Sequence, residues 1–243
     1  MIHLTRDGAI ATLSLARPES KNALPIAAWE AIAEVVTQVG DARVVILRSD
    51  VPGVFSSGAD LLEFERLQND PPLRTRFREA MRTGIEAIAT LPMPVIASVD
   101  GGCFGAAVAL ILAADIRVAG DYAEFAITPA RLGIGYPQQD VARLVAKVGK
   151  GVAASLLFTG DWLKADDAKR VGLAELRGKK AIETATAIAT TIAGNAPGAL
   201  RLLKRTLAGP AEDLDQAFDD AFGGPEFAEG LAAFREKRKP RYP

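Results

Sequence analysis

Apolar and polar residues alternate with period two over Ile10-Ala11-Thr12-Leu13-Ser14-Leu15, and the Asp7-Gly8 pair just before them is a hairpin signal. The chain is therefore predicted to begin with two short strands. Pro25 opens a predicted helix that runs to about Val39. Val44-Val45-Ile46-Leu47 is an unbroken apolar run of the kind found in a parallel strand buried on both faces. A helix follows from about Pro72 to Leu91, then a second buried strand at Pro94-Val95-Ile96-Ala97-Ser98-Val99. A small-residue helix from about Gly105 to Ala113 leads into a strand at Ile116-Arg117-Val118-Ala119, with Phe125-Ala126-Ile127 as a further short strand. Strand, helix, strand at this spacing implies a right-handed α/β superhelix or an open parallel sheet, with ligands expected where strands hand over to helices. After about Pro137 the strand signal fades. Breaks at Gly149-Lys150-Gly151, Gly160-Asp161, Gly172, Gly194-Asn195-Ala196-Pro197, Gly209-Pro210 and Gly223-Gly224-Pro225 divide a mostly helical C-terminal part. Its apolar faces need burial, and a neighbouring subunit is one place to bury them.

Composition narrows the class. At 243 residues and 25.6 kDa the chain can bury a sizeable core without disulfides. Its 49% apolar and 24% charged residues match an ordinary globular domain. No run of 18 apolar residues occurs, so membrane insertion is not expected. The N-terminus lacks a basic region followed by a continuous apolar stretch, which makes the cytoplasm the default location. The lone Cys103 has no internal partner and fits a reducing compartment. With 29 basic against 30 acidic residues, no overall field would recruit nucleic acid. One local exception is the C-terminal cluster Arg235, Lys237, Arg238, Lys239 and Arg241, which reads equally as a solvated helix end or a phosphate site. One Cys and one His leave no metal site to propose.

Two segments carry the chemistry: Phe55-Ser56-Ser57-Gly58-Ala59-Asp60-Leu61, and Asp100-Gly101-Gly102-Cys103-Phe104-Gly105-Ala106-Ala107-Val108-Ala109-Leu110. Each reads as a strand entering a glycine-punctuated turn that opens a helix. Such a turn leaves backbone N–H groups free for a developing oxyanion.

Together with Arg17-Pro18-Glu19-Ser20-Lys21-Asn22-Ala23-Leu24 and Glu229-Gly230-Leu231-Ala232-Ala233-Phe234-Arg235-Glu236-Lys237-Arg238-Lys239-Pro240, these segments resemble the enoyl-CoA hydratase/isomerase (crotonase) superfamily in order and spacing. The resemblance covers nearly the whole chain. It implies a crotonase-type ββα superhelical core over residues 1–190, a helical C-terminal trimerisation region over 191–243, and an acyl-CoA thioester as ligand. No cofactor is implied beyond coenzyme A as part of the substrate, and a homotrimer or dimer of trimers is implied as the assembly. Carried over position by position, the two oxyanion donors fall on the N–H groups of Ala59 and Ala106. Ser57, Ala59 and Leu61 fall where backbone groups hold the adenine, and Phe234 and Lys237 where an aromatic and a lysine meet CoA. Phe234 taken alone also reads as a core aromatic.

The departures are as informative. The two hydratase glutamates of this superfamily fall on Ala109 and Pro129, neither of which transfers a proton. General acid/base catalysis contributes roughly two to four orders of magnitude per group, so efficient hydration is not expected. Thr128-Pro129 followed by Leu132-Gly133-Ile134-Gly135-Tyr136 resembles instead the methylmalonyl-CoA decarboxylase subgroup. There a tyrosine in this register hydrogen-bonds a substrate carboxylate, although that subgroup's histidine and glutamate fall on Ala59 and Ala109. Tyr136 is thus read either as a substrate-handling group or as a tyrosine packing its loop with O–H on a backbone carbonyl. Asp140, the carboxylate of the substituted loop, is read either as an acid/base group or as a helix N-cap. The expected function is binding of an acyl-CoA thioester and stabilisation of its enolate; the alternative is a non-catalytic acyl-CoA binder.

Overall fold

The computed structural model describes residues 1–242. The hairpin predicted at the N-terminus is present: β1 (Ile2–Asp7) pairs antiparallel with β2 (Ile10–Leu15). β3 (Val44–Ser49), β5 (Val95–Val99), β7 (Ile116–Gly120) and β10 (Leu176–Gly178) then add in parallel, giving a six-stranded sheet in the order β1-β2-β3-β5-β7-β10. A second sheet holds β4 (Val54–Ser56), β6 (Gly102–Phe104) and β8 (Glu124–Ala126) in parallel, with the two-residue β9 (Leu163–Lys164) antiparallel at its edge. Each turn of chain thus contributes one strand to each sheet.

The unbroken apolar run in β3 has the predicted cause. Val45 and Leu47 enter the main core, where they meet α1 (Ile26–Val36), α3 (Pro71–Ala89) and α4 (Ala106–Leu112). Val44 and Ile46 face the other way and pack with Ile96 and Val118 under Ala181, Ala185 and Ala189 of α7 (Ala181–Ala193). A sheet covered on both faces needs apolar residues at every position, so periodicity alone could not show which residues face which layer. Asp100, which belongs to one of the chemistry-bearing segments, serves this packing: its carboxylate accepts the N–H of Ala181 at 2.9 Å and so caps α7.

The C-terminal part is helical but not free of strands. β10 was not predicted, because Leu-Arg-Gly carries no strand pattern; its place at the sheet edge comes from pairing with β7. The break expected at Gly149 is a kink, with φ 76 inside the 22-residue α5 (Gln138–Thr159). The residue-190 boundary falls within α7, and α8 (Pro197–Ala208), α9 (Leu214–Ala221) and α10 (Pro225–Glu236) follow it. Among the described residues no helix is long and apolar enough to cross a membrane.

Candidate active site

The two chemistry-bearing segments leave the carboxyl ends of adjacent parallel strands, β4 and β6. After β4 the chain turns at Gly58, φ 93, and Ala59 forms an isolated parallel bridge with Leu24. That bridge uses the Gly58 carbonyl and the Asp60 N–H, bonded to Leu24 N–H at 2.7 Å and Leu24 carbonyl at 3.1 Å. Ala59 keeps its own N–H and carbonyl unused. After β6, Gly105 adopts φ 53, ψ −123, and Ala106 is the first residue of α4. Among the described residues neither the Ala59 N–H nor the Ala106 N–H has a hydrogen-bond partner.

Gly58 brings these groups together. A Cβ placed on it would lie 2.5 Å from the Phe104 carbonyl oxygen and 3.1 Å from the Ala106 nitrogen. Only a residue without a side chain lets the two turns approach this closely. Local contacts hold the first turn rigid. The Ser56 hydroxyl donates to the Asn22 carbonyl at 2.6 Å and accepts from Gly58 N–H at 3.0 Å. Asn22, buried and left-handed at φ 54, donates from its amide to the Phe55 carbonyl at 2.9 Å and to the Ser49 hydroxyl. Asp60 caps the following turn by accepting Leu62 N–H at 3.0 Å and pairs with Arg17 at 2.6 Å. Burial pushes the Asp60 pKa up, but Arg17 and the Leu62 N–H outweigh it and hold the carboxyl below its usual range.

The second turn opens the expected small-residue helix, α4, of seven residues, whereas the turn at Ala59 opens first a 3-10 turn at Leu61–Glu63 and only then the six-residue α2 (Phe64–Asn69). Helix dipoles are therefore a minor source of field here, and the directed N–H groups are what the site offers.

Ser57 and Leu61 are exposed, with the Ser57 N–H bonded to the Lys21 carbonyl at 3.0 Å and its hydroxyl donating to the Ser20 carbonyl at 3.2 Å, so the Ser57 carbonyl is what it has left to offer a ligand. Ala109 is fully buried in α4 and Pro129 begins a 3-10 turn at Pro129–Leu132. Tyr136 is half-buried and packs on the main core, and its O–H donates to the Gly105 carbonyl at 3.0 Å. This is the backbone-carbonyl contact of the two readings. Burial, reinforced by Asp140 and Cys103, pushes the phenol's pKa well up, so the O–H stays protonated. Cys103 is buried, and its thiol is likewise pushed well up by burial, which leaves no nucleophilic thiolate.

Asp140 is not an N-cap. Pro137 caps α5, and Asp140 is the third residue of that helix, 4% exposed, with Arg143 at 3.6 Å. Arg143 in turn donates to Glu86 of α3 at 2.7 Å. These three side chains line a cleft of about 240 Å³ with Arg78, Arg82 and Gln139. Arg143 and Glu86 lay outside the sequence reading; they lie 57 positions apart and nothing in the local pattern joins them. Burial raises the Asp140 pKa to about 6, with Arg143 lowering it and Glu86 raising it. Because the folded chain holds a proton that the unfolded chain has released, this group's contribution is full below about pH 4 and is lost as pH rises through about 6. Asp140→Asn is expected to match the parent in stability near pH 4 and to exceed it above about pH 7 by up to ~3 kcal/mol. Urea titrations at the two pH values read this, and a pH-independent difference between the two proteins would refute it.

Phe234 and Lys237 lie at the end of α10. Phe234 is 82% exposed, so the core-aromatic reading is excluded. It lines an apolar groove of about 1010 Å³ with Leu203, Phe218, Phe222, Phe227 and Leu231. Lys237 is the left-handed C-cap, φ 56. Arg238 is tied to Glu229 at 2.6 Å and to Glu236, and Arg238 together with the Arg241 N–H holds Glu229 well down, at about 2. No hydrogen bond or ion pair among the described residues joins α10 to the oxyanion segments.

Comparison with known proteins agrees with this geometry. The family model described as enoyl-CoA hydratase/isomerase matches residues 5–243. The chain is 34% identical over 251 residues to enoyl-CoA hydratase domain-containing protein 2, mitochondrial, of Bos taurus, covering 96% of this chain and 84% of that one. It is 31% identical over 258 residues to methylglutaconyl-CoA hydratase, mitochondrial, of Mus musculus, covering 99% and 82%. The crystal structure of enoyl-CoA hydratase from Bacillus anthracis superposes with a TM-score of 0.92 at 32% identity, over 99% of this chain and 98% of that one. With two interleaved sheets, helices on both faces of the larger and relatives that match over nearly all of its length, this chain belongs to the enoyl-CoA hydratase/isomerase family and has the crotonase fold.

Proposed function

We propose that this protein binds an acyl-CoA thioester with its carbonyl oxygen between Ala59 N–H and Ala106 N–H, and that this pair stabilises the enolate formed from it. The observation that carries the reading is the pair of partnerless N–H groups at adjoining strand ends, with no side chain on Gly58 to separate them. One such donor typically contributes about 3 to 4 kcal/mol to a transition state that bears negative charge on oxygen. Ser57, Ala59 and Leu61 provide the backbone for the adenine. Phe234 and Lys237 reach CoA from a neighbouring copy, a role supported by the unpartnered aromatic groove on α8 to α10. The same groove supports a homotrimer, or a dimer of trimers, as the working assembly.

Hydration of an enoyl thioester is a poor fit, because Ala109 and Pro129 supply neither acid nor base. Loss of CO2 from a malonyl-type thioester fits better: the departing carboxylate leaves its electron pair on the thioester as an enolate, and no protein base is needed to start. Asp140, with its raised pKa, is then the available proton donor. The buried free thiol of Cys103 supports a reducing compartment such as the cytoplasm.

A calorimetric titration with a panel of CoA thioesters, followed by mass spectrometry of each mixture after incubation, tests this reading. Binding with loss of carboxylate from a malonyl-type member is expected. Binding with every thioester recovered intact would make the protein an acyl-CoA binder on an enzyme fold, and no binding would sink the reading. Light scattering on the same sample reads the copy number, expected to be a multiple of three.

A further inference from the structure

We propose that Tyr136 is a positioning residue for the second oxyanion donor: its phenol, bonded to the Gly105 carbonyl, orients and polarises the peptide unit whose other end is the Ala106 N–H. This inference rests on the thioester reading above and deepens it. The Gly105 carbonyl and the Ala106 N–H belong to one planar trans peptide and point in opposite directions, so whatever fixes the oxygen also aims the proton.

Fixing is needed because Gly105 occupies a region of backbone space, φ 53 and ψ −123, that glycine alone visits readily and does not favour over others. Three bonds hold it. The Gly105 N–H donates to the Ala126 carbonyl at 2.8 Å, and the Gly105 oxygen accepts from Val108 N–H and from Tyr136, each at 3.0 Å. Tyr136 is the one side chain among the described residues bonded to this peptide. It is well anchored, since Pro137 caps the 22-residue α5 directly after it and its ring packs on the main core.

The phenol has one proton, and that proton is committed to Gly105. A donor on the carbonyl oxygen draws electron density through the peptide and makes the N–H at the other end a stronger donor, by about a tenth to a third per bond. The contact thus strengthens the oxyanion site from behind, without Tyr136 reaching the thioester.

The test uses intact protein and crotonyl-CoA labelled with 13C at the thioester carbonyl. In the parent, the bound carbonyl stretch is expected to move to lower frequency, as a polarised carbonyl does. Tyr136→Phe, which keeps the ring and the Val108 bond, is expected to bind within about threefold while the stretch recovers roughly a tenth to a third of its shift. The Ala106 amide nitrogen resonance should move as well, and kcat for any thioester turned over should fall about two- to eightfold at constant KM. An unchanged stretch and an unchanged Ala106 resonance in Tyr136→Phe would overturn the proposal and leave the thioester reading intact. No carbonyl shift in the parent would overturn both. If Tyr136→Phe does not fold, 3-fluorotyrosine replaces all three tyrosines. Its stronger donor should move the Ala106 resonance in the opposite sense, and no movement would refute the proposal.

Discussion

Gly58→Ala is expected to abolish carbonyl polarisation and to lower turnover of any processed thioester by roughly 10²- to 10³-fold, the effect of losing one oxyanion donor. The new methyl would lie 2.5 Å from the Phe104 oxygen and 3.1 Å from the Ala106 nitrogen, so one of the two turns must move. The backbone at φ 93 adds strain of about 1–3 kcal/mol, seen as a lower melting temperature. Gly105→Ala separates the two causes, because a Cβ there meets nothing within 4 Å and only the dihedral angles object. The reading predicts a larger loss of carbonyl shift in Gly58→Ala than in Gly105→Ala. Equal shifts in Gly58→Ala and the parent would show that the two N–H groups do not share one oxygen.

The largest effect on stability is expected at Arg117, on β7 and fully buried. Its guanidinium donates to the Ala114 carbonyl at 2.7 Å and the Leu173 carbonyl at 3.0 Å, with longer contacts to Ile111 and Asp115, and it pairs with Glu175. Ile111 lies in the last turn of α4 and Ala114 just beyond its end, so one side chain ties together the carbonyls around that helix terminus. Arg117→Met preserves much of the volume and removes every donor. It is expected to destabilise the fold by about 3–5 kcal/mol in urea titrations, with m unchanged. A loss under about 1 kcal/mol would mean that water reaches those carbonyls.

Both residues show what a sequence conceals. Gly58 was visible as part of a turn, because glycine next to a short strand announces a change of direction; that its missing side chain makes room for Ala106 was not, since 48 positions separate them. Arg117 stood in a segment correctly read as a strand, yet nothing local distinguishes a buried arginine from an exposed one. Strands β3 and β5 were legible because burial on both faces demands unbroken apolar runs. β10 was not, because its three residues are held by the neighbouring strand and not by their own propensity. The loop from Ile134 to Asp140 is unusual in sequence, but the Gly105 carbonyl that Tyr136 meets lies in the turn between β6 and α4, and the Glu86 that joins Arg143 beside Asp140 lies on α3, so two open readings per residue are as far as local chemistry reaches.

The interlock of Asn22 with Phe55 spans 33 positions. Bringing such distant positions together has an entropic cost that local propensity does not offset, so the first oxyanion turn takes shape only when a long loop has closed. A thioester seated there binds the closed chain and not the open one, and at a hundredfold excess over its Kd would add about 2.7 kcal/mol to the folded state. The ligand then acts on the N-terminal strands as a folding aid, and amide exchange across residues 17–24 should slow when it binds.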